Sequence, residues 1–143
     1  MAGALALAAA ALFTGAAVYI SLVEQPARLA IQDAALLAQW KSSYKRGAVM
    51  QGTLALVGTL LGVLAWLGAE DWLWLLGSAL LVANWPYTLL VILPLNNRLM
   101  ATAADAAGPE TRASIVRWGG LHWVRSALGA AATLVFIWAM GAP

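Results

Sequence analysis

Four apolar stretches, residues 2–23, 47–68, 72–93 and 119–140, dominate the chain, and each is about the ~20 residues that a helix needs to cross a bilayer. In hydrocarbon, a segment of that kind can satisfy its backbone only as a helix or in a closed barrel. Runs of this length, without period-two alternation, read as helices. The expected fold is therefore an all-α membrane protein, a four-transmembrane-helix bundle forming a single domain over residues 1–143. Composition supports this: 63% of residues are hydrophobic, 10% are charged, and the mean hydropathy is +0.82. A soluble domain carries about a quarter charged residues. Eight Lys/Arg and six Asp/Glu cannot cover a globular surface.

The first stretch is alanine-rich but has no basic residue before it, and its apolar run exceeds the ~7–15 residues of a signal core. It is expected to be retained as span one. Basic residues set the orientation. Arg28, Lys41, Lys45 and Arg46 lie between spans one and two; Arg98, Arg112 and Arg117 lie between spans three and four, with Arg125 just inside span four. The turn between spans two and three holds Glu70 and Asp71 and no basic residue. Short loops rich in Lys and Arg stay in the cytoplasm, so both termini are expected on the non-cytoplasmic side.

The first cytoplasmic connection is too long for a bare loop. Pro26 suits a helix's opening turn. Leu29, Leu36, Leu37 and Trp40 fall on one side, with Arg28, Gln32 and Gln39 on another. The pattern predicts an interfacial amphipathic helix between spans one and two. In the second connection, Gly108-Pro109 breaks the chain and a helix restarts there. Trp72, Trp74, Trp118, Trp123 and Trp138 fall near span ends, where indole rings favour the headgroup region.

Several chemistries are excluded. With no cysteine, thiolate metal sites, disulfides and cysteine nucleophiles are absent, and one histidine rules out multi-histidine metal sites. No glycine loop for phosphate, no basic run for nucleic acid and no internal repeat is present.

Polar residues inside apolar spans are costly unless paired, so they carry the most information. Span three holds Asn84-Trp85-Pro86-Tyr87-Thr88, with Asn84 roughly 13 Å inside the cytoplasmic boundary. Pro86 frees the carbonyl of Val82, which predicts a kink repaired by these side chains, a ligand site, or both. Glu24 and Gln25 end span one, Gln51 lies in span two, Asn96 and Asn97 follow span three, and His122 and Arg125 open span four. All fall at a similar depth, which makes a pocket; Arg98 and Arg125 read first as phospholipid or topology anchors, and Arg125 joins the pocket if it pairs with Glu24 across the bundle. His122 has three readings: an interfacial residue bonded to a carbonyl or lipid phosphate, a general base or donor to a phenolate, or an axial haem ligand. Gly58 and Gly62 form a GxxxG pair that suits close helix contact, within the chain or in a homo-oligomer.

Glu24-Gln25-Pro26, the segment from Trp40 to Gly47, "NWPYTLLVILPLNNRL" from Asn84 to Leu99 and "RWGGLHWVRSALG" from Arg117 to Gly129 resemble the anthrone-oxygenase-like membrane family over nearly the whole chain. The resemblance implies oxidation of an anthrone- or hydroquinone-type substrate, small, aromatic and lipophilic, by molecular oxygen with no metal or organic cofactor. It also implies the inner (cytoplasmic) membrane of a bacterium, with membrane lipids as surroundings. His122 would be the base, Arg125 would stabilise the anion, and Asn84, Tyr87 and Asn97 would hydrogen-bond the substrate oxygens. Trp85 would line the pocket, with Glu24 and Gln51 at its edge. The alternative is a non-catalytic module that binds a lipid, a quinone or a partner helix in the same pocket.

Overall fold

The structure is a computed structural model and describes residues 1–141. Four helices are long and apolar enough to cross a membrane: α1 (Ala2–Leu29), α2 (Asp33–Ala69), α3 (Trp72–Ala101) and α4 (Pro109–Gly141). They run alternately up and down. The α2–α3 turn and both ends of the described chain lie together, where Met1, Gly68, Ala69, Trp74 and Met140 share a surface groove. Each helix packs on two neighbours, α1 and α3 both touching α2 and α4.

Turn chemistry makes the α2–α3 hairpin tight. Glu70 adopts the left-handed conformation (φ 54°) that ends α2, and the Asp71 carboxylate accepts from the Leu73 N–H at 3.0 Å to start α3. At the opposite end, basic side chains hold the connections. Arg112 donates to Asp33 Oδ1 (2.6 Å) and to the carbonyls of Leu29 (2.7 Å) and Ile31 (2.5 Å), closing the α1–α2 turn. Lys41 Nζ donates to the Thr102 carbonyl at 2.6 Å, just past the end of α3.

The stretch 33–46 is helical and buries Leu36, Leu37 and Trp40, but it is not a separate interfacial helix. It is the first part of α2, which runs unbroken for 37 residues. Pro26 does not open a new helix either. Its ring would crowd the carbonyl four residues back, and a π-helical turn over Ile20–Glu24 widens the backbone just ahead of it. So α1 continues to Leu29. The same device recurs in α3, where a π turn over Thr88–Ile92 precedes Pro94.

Small residues set the spacing. A Cβ on Gly58 would lie 2.6 Å from Leu81 and 3.2 Å from Ala9, and one on Gly62 would run into Ser78 and Phe136. The GxxxG face is thus occupied by the chain's own helices. Two apolar clusters result. Ala6, Phe13, Trp74, Leu81 and Phe136 fill the half near the termini, and Leu36, Trp40, Ile92, Leu99, Ile115 and Trp118 fill the other. Trp74 and Trp118 are therefore core residues, unlike the exposed Trp72, Trp123 and Trp138.

Replacing Arg112 by alanine removes three charge-assisted contacts and is expected to cost about 1.5–3 kcal/mol of stability. Arg112→Lys recovers only part of it, because an ammonium lacks the planar fork that reaches all three acceptors. Thermal unfolding of the two variants beside the parent chain checks this, and equal midpoints for all three would contradict it.

Candidate functional site

Between the two apolar clusters lies a layer of buried polar side chains drawn from all four helices: Ser21 and Gln25 from α1, Gln51 from α2, Asn84 from α3, and His122, Arg125 and Ser126 from α4. Helical spacing selects them. Trp118, His122, Arg125, Ser126 and Gly129 recur on the inward face of α4, as Ser21, Gln25 and Arg28 do on α1. Glycines let the two helices close around this layer. A Cβ on Gly119 would meet Gln25 Nε2 at 2.7 Å, and one on Gly129 would meet Phe13 at 2.7 Å.

His122 is held on two sides. Its Nδ1 lies 3.1 Å from Ser21 Oγ, which is also 3.1 Å from Ser126 Oγ, and its ring stacks on Trp118 with centroids 4.9 Å apart. The engaged Nδ1 leaves Nε2 for the adjoining space. That space, about 20 Å³, is bounded by His122 and Arg125 on one side and by Glu24, Arg28 and Ser43 on the other.

A second cavity of about 170 Å³ adjoins the first and shares Tyr44, Ala48, Gln51 and Arg125 with it. Asn84, Trp85, Thr88, Leu89 and Leu93 of α3 complete its wall. Asn84 follows a break in helix α3 at Ala83, and its Nδ2 donates to the Leu81 carbonyl at 3.1 Å. The amide thus repairs the backbone at Leu81 rather than at Val82, and leaves Oδ1 unpartnered. Trp85 Nε1 donates to the Gly52 carbonyl at 3.2 Å, tying α3 to α2 at the cavity's exposed edge.

Four buried polar atoms around this one cavity have no hydrogen-bond partner among the described residues: Gln51 Nε2, Asn84 Oδ1, Thr88 Oγ1 and Arg125 Nε. Buried polar atoms are nearly always paired, so these four call for partners that the described residues do not supply. Arg125 is the most demanding of them. It is 9% exposed, its guanidinium sits 5.6 Å from the Phe13 ring centroid, and no carboxylate pairs with it among the described residues.

The sequence-predicted residues therefore separate. Gln51, Asn84, Trp85 and Arg125 share the larger cavity, while His122 and Glu24 share the smaller one with Gln51 and Arg125. Glu24 does not pair with Arg125. Its Oε1 takes an ion pair from Arg28, four residues on, and a hydrogen bond from Gln39 at 3.0 Å. Tyr87 lies outside both cavities and donates its hydroxyl to the Leu121 carbonyl at 3.1 Å. Asn97 is exposed; its neighbour Asn96 is buried and accepts from Trp118 Nε1 at 2.9 Å. Sequence reasoning named Thr88 only within the polar run of span three, missed Ser21, Tyr44 and Ser126, and gave Arg28 a place on a polar helix face and in the topology but none in the site. Ser126 lies four residues from His122 and Arg28 four from Glu24, and that spacing was the available signal.

The fold and site together define an all-helical bundle with a basic, amide-lined cavity between its helices. The family model for anthrone oxygenase matches residues 40–135, and the chain belongs to that family. It is similar to an anthrone oxygenase of Claviceps purpurea (strain 20.1), 28% identical over 144 aligned positions that cover 91% of this chain and 83% of the relative. No solved structure matches the chain. Among the described residues, no three His, Asp or Glu side chains stand together as a metal site.

An uncompensated buried cation costs stability that an apolar side chain of similar size does not. Arg125→Met is therefore expected to raise the thermal midpoint of the ligand-free protein, by the equivalent of about 1–4 kcal/mol. A lowered midpoint would mean that the protein itself already compensates the charge.

Proposed function

We propose that this chain is a membrane-embedded oxygenase that uses molecular oxygen, without metal or organic cofactor, on a small lipophilic aromatic of the anthrone or hydroquinone type. The observation that carries this reading is the unpaired Arg125 at the junction of the two cavities, beside the unpartnered Gln51, Asn84 and Thr88. An aromatic ketone whose oxygen becomes an enolate supplies the anion that this guanidinium lacks. The family membership supports the same chemistry.

The substrate enters sideways from lipid, past the exposed Trp85 and Leu89. Its oxygens meet Arg125, Gln51 and Thr88, and a hydroxyl donates to Asn84 Oδ1. A water in the smaller space relays a proton from the reacting carbon to His122 Nε2, and the electron pair stays on the substrate as an enolate. The enolate gives its electrons to oxygen and a carbon–oxygen bond forms, leaving a hydroperoxide. Loss of the second carbon-bound hydrogen and cleavage of the O–O bond release one water and leave a carbonyl. One atom of O2 thus ends in the quinone and the other in water. Water kept out of the cavity protects the intermediate. With both termini outside, the site faces the inner leaflet of a bacterial cytoplasmic membrane, in keeping with the Lys/Arg placement.

Oxygen uptake with anthrone, measured above the protein-free rate in lipid nanodiscs, tests the reading. His122→Ala is expected to lower turnover by roughly 10²–10⁴-fold, as for loss of a general base. Asn84→Ala is expected to lower it less and to raise KM. Unchanged turnover in both variants would overturn the assignment. Co-purified lipid or quinone, with no oxygen uptake on any aromatic tested, would make the cavity a binding site only.

A further inference from the structure

The proposed reaction moves no net proton to solvent, because both hydrogens lost from carbon leave in the water formed. A purely internal base would therefore suffice. The structure nevertheless places a polar opening beside His122. The space of about 20 Å³ is lined by the buried His122, Arg125 and Arg28 and by Glu24, which is partly exposed. A space needs about one probe sphere, ~10–15 Å³, to hold a water, so this one accommodates a single molecule. The charged and titratable groups that line it are Glu24, Arg28, Tyr44, His122 and Arg125.

Geometry on α1 brings the two ends of this space close. Ser21, which touches His122 Nδ1, and Glu24 lie on the same widened turn, three residues and roughly 4.5 Å of rise apart. The Glu24 side chain is 21% exposed, while His122 is 1% exposed. Arg28 and Gln39 hold Glu24 Oε1, Ser43 stands beside the same carboxylate, and Glu24 and His122 line one space. The alternative path from Nδ1 ends at Ser21 and Ser126, both buried.

We propose that the one-water space is a proton-exchange channel, with Glu24 as the relay that connects His122 Nε2 to bulk water at the cytoplasmic edge. This rests on the reading of His122 as the base. Through the channel, a proton taken from carbon passes to the water and on to Glu24, and a solvent proton returns by the same path. No electron moves. The channel resets the base when the ionised substrate leaves before oxygen reacts.

Hydrogen exchange under anaerobic conditions reads the channel directly. In D2O without oxygen, the full-length protein is expected to place deuterium at the reacting carbon of anthrone above the protein-free rate. The quantity to compare is that exchange divided by the oxygen uptake of the same preparation in air, which cancels any loss of folded protein. Glu24→Gln is expected to lower the ratio about tenfold or more, because the abstracted proton then returns to its own carbon. The double variant Glu24→Gln/Arg28→Gln, which leaves no unpaired charge, is expected to do the same. Added formate, a small acid that can enter the outer side, restores the ratio in both. An unchanged ratio in these variants would overturn the channel, as would a parent chain that oxidises anthrone without exchanging it; the base assignment stands in either case. If the parent chain does neither, or His122→Ala leaves both rates intact, the base assignment falls and the channel with it.

Discussion

Arg125 brings a guanidinium into the middle of the bundle, between two apolar clusters, and no carboxylate forms an ion pair with it among the described residues. Charges are expensive in such surroundings, and most buried ones are paired. Around it stand only dipoles and an aromatic face, none of them an anion: Gln51 and Tyr44 share its cavities, and Phe13 lies under it. The bundle is built around this layer. Gly119 and Gly129 admit α1 to close contact on either side of it, and the apolar clusters lie above and below it. A site of this kind is poised for a ligand that develops negative charge, because its donors need no rearrangement when the charge appears.

The helices are irregular where they serve this layer. The π turn of α1 carries Ser21 and Glu24, and that of α3 opens with Thr88. An extra residue per turn rotates the helix beyond it, so side chains on either side of the turn can both face inward. The prolines at 26 and 94 have a local backbone rationale for these turns, and the site gains inward-facing groups from them. Stability and function are thus tied to the same few residues: a straight α1 would pack more regularly and would aim Ser21 elsewhere.

Much of this was legible in the sequence. Length and hydropathy mark the four helices, and the depth of Asn84, Gln51, His122 and Arg125 places them in one layer. What was not legible depends on rotation and partner choice. Successive residues on a helix are turned by about 100°, so burial fell to Asn96 and exposure to Asn97 although depth alone treats them alike. Glu24 found Arg28 one turn along its own helix before any partner across the bundle. Tyr87 sits at the expected depth, yet its hydroxyl is spent on the backbone of α4. The continuity of α2 was hidden because the amphipathic face of residues 33–46 fits an interfacial helix as well as it fits the second apolar cluster against Ile115 and Trp118.

The central claim is that Arg125 awaits an anionic oxygen. A product-like ligand with a visible phenolate band, 1-hydroxyanthraquinone, reads that charge without turnover. Titrated into the protein at a pH where the free compound is neutral, it is expected to show the phenolate band on binding to the parent chain and to lose it with Arg125→Met. Binding of the neutral form to both proteins with equal affinity would contradict the account.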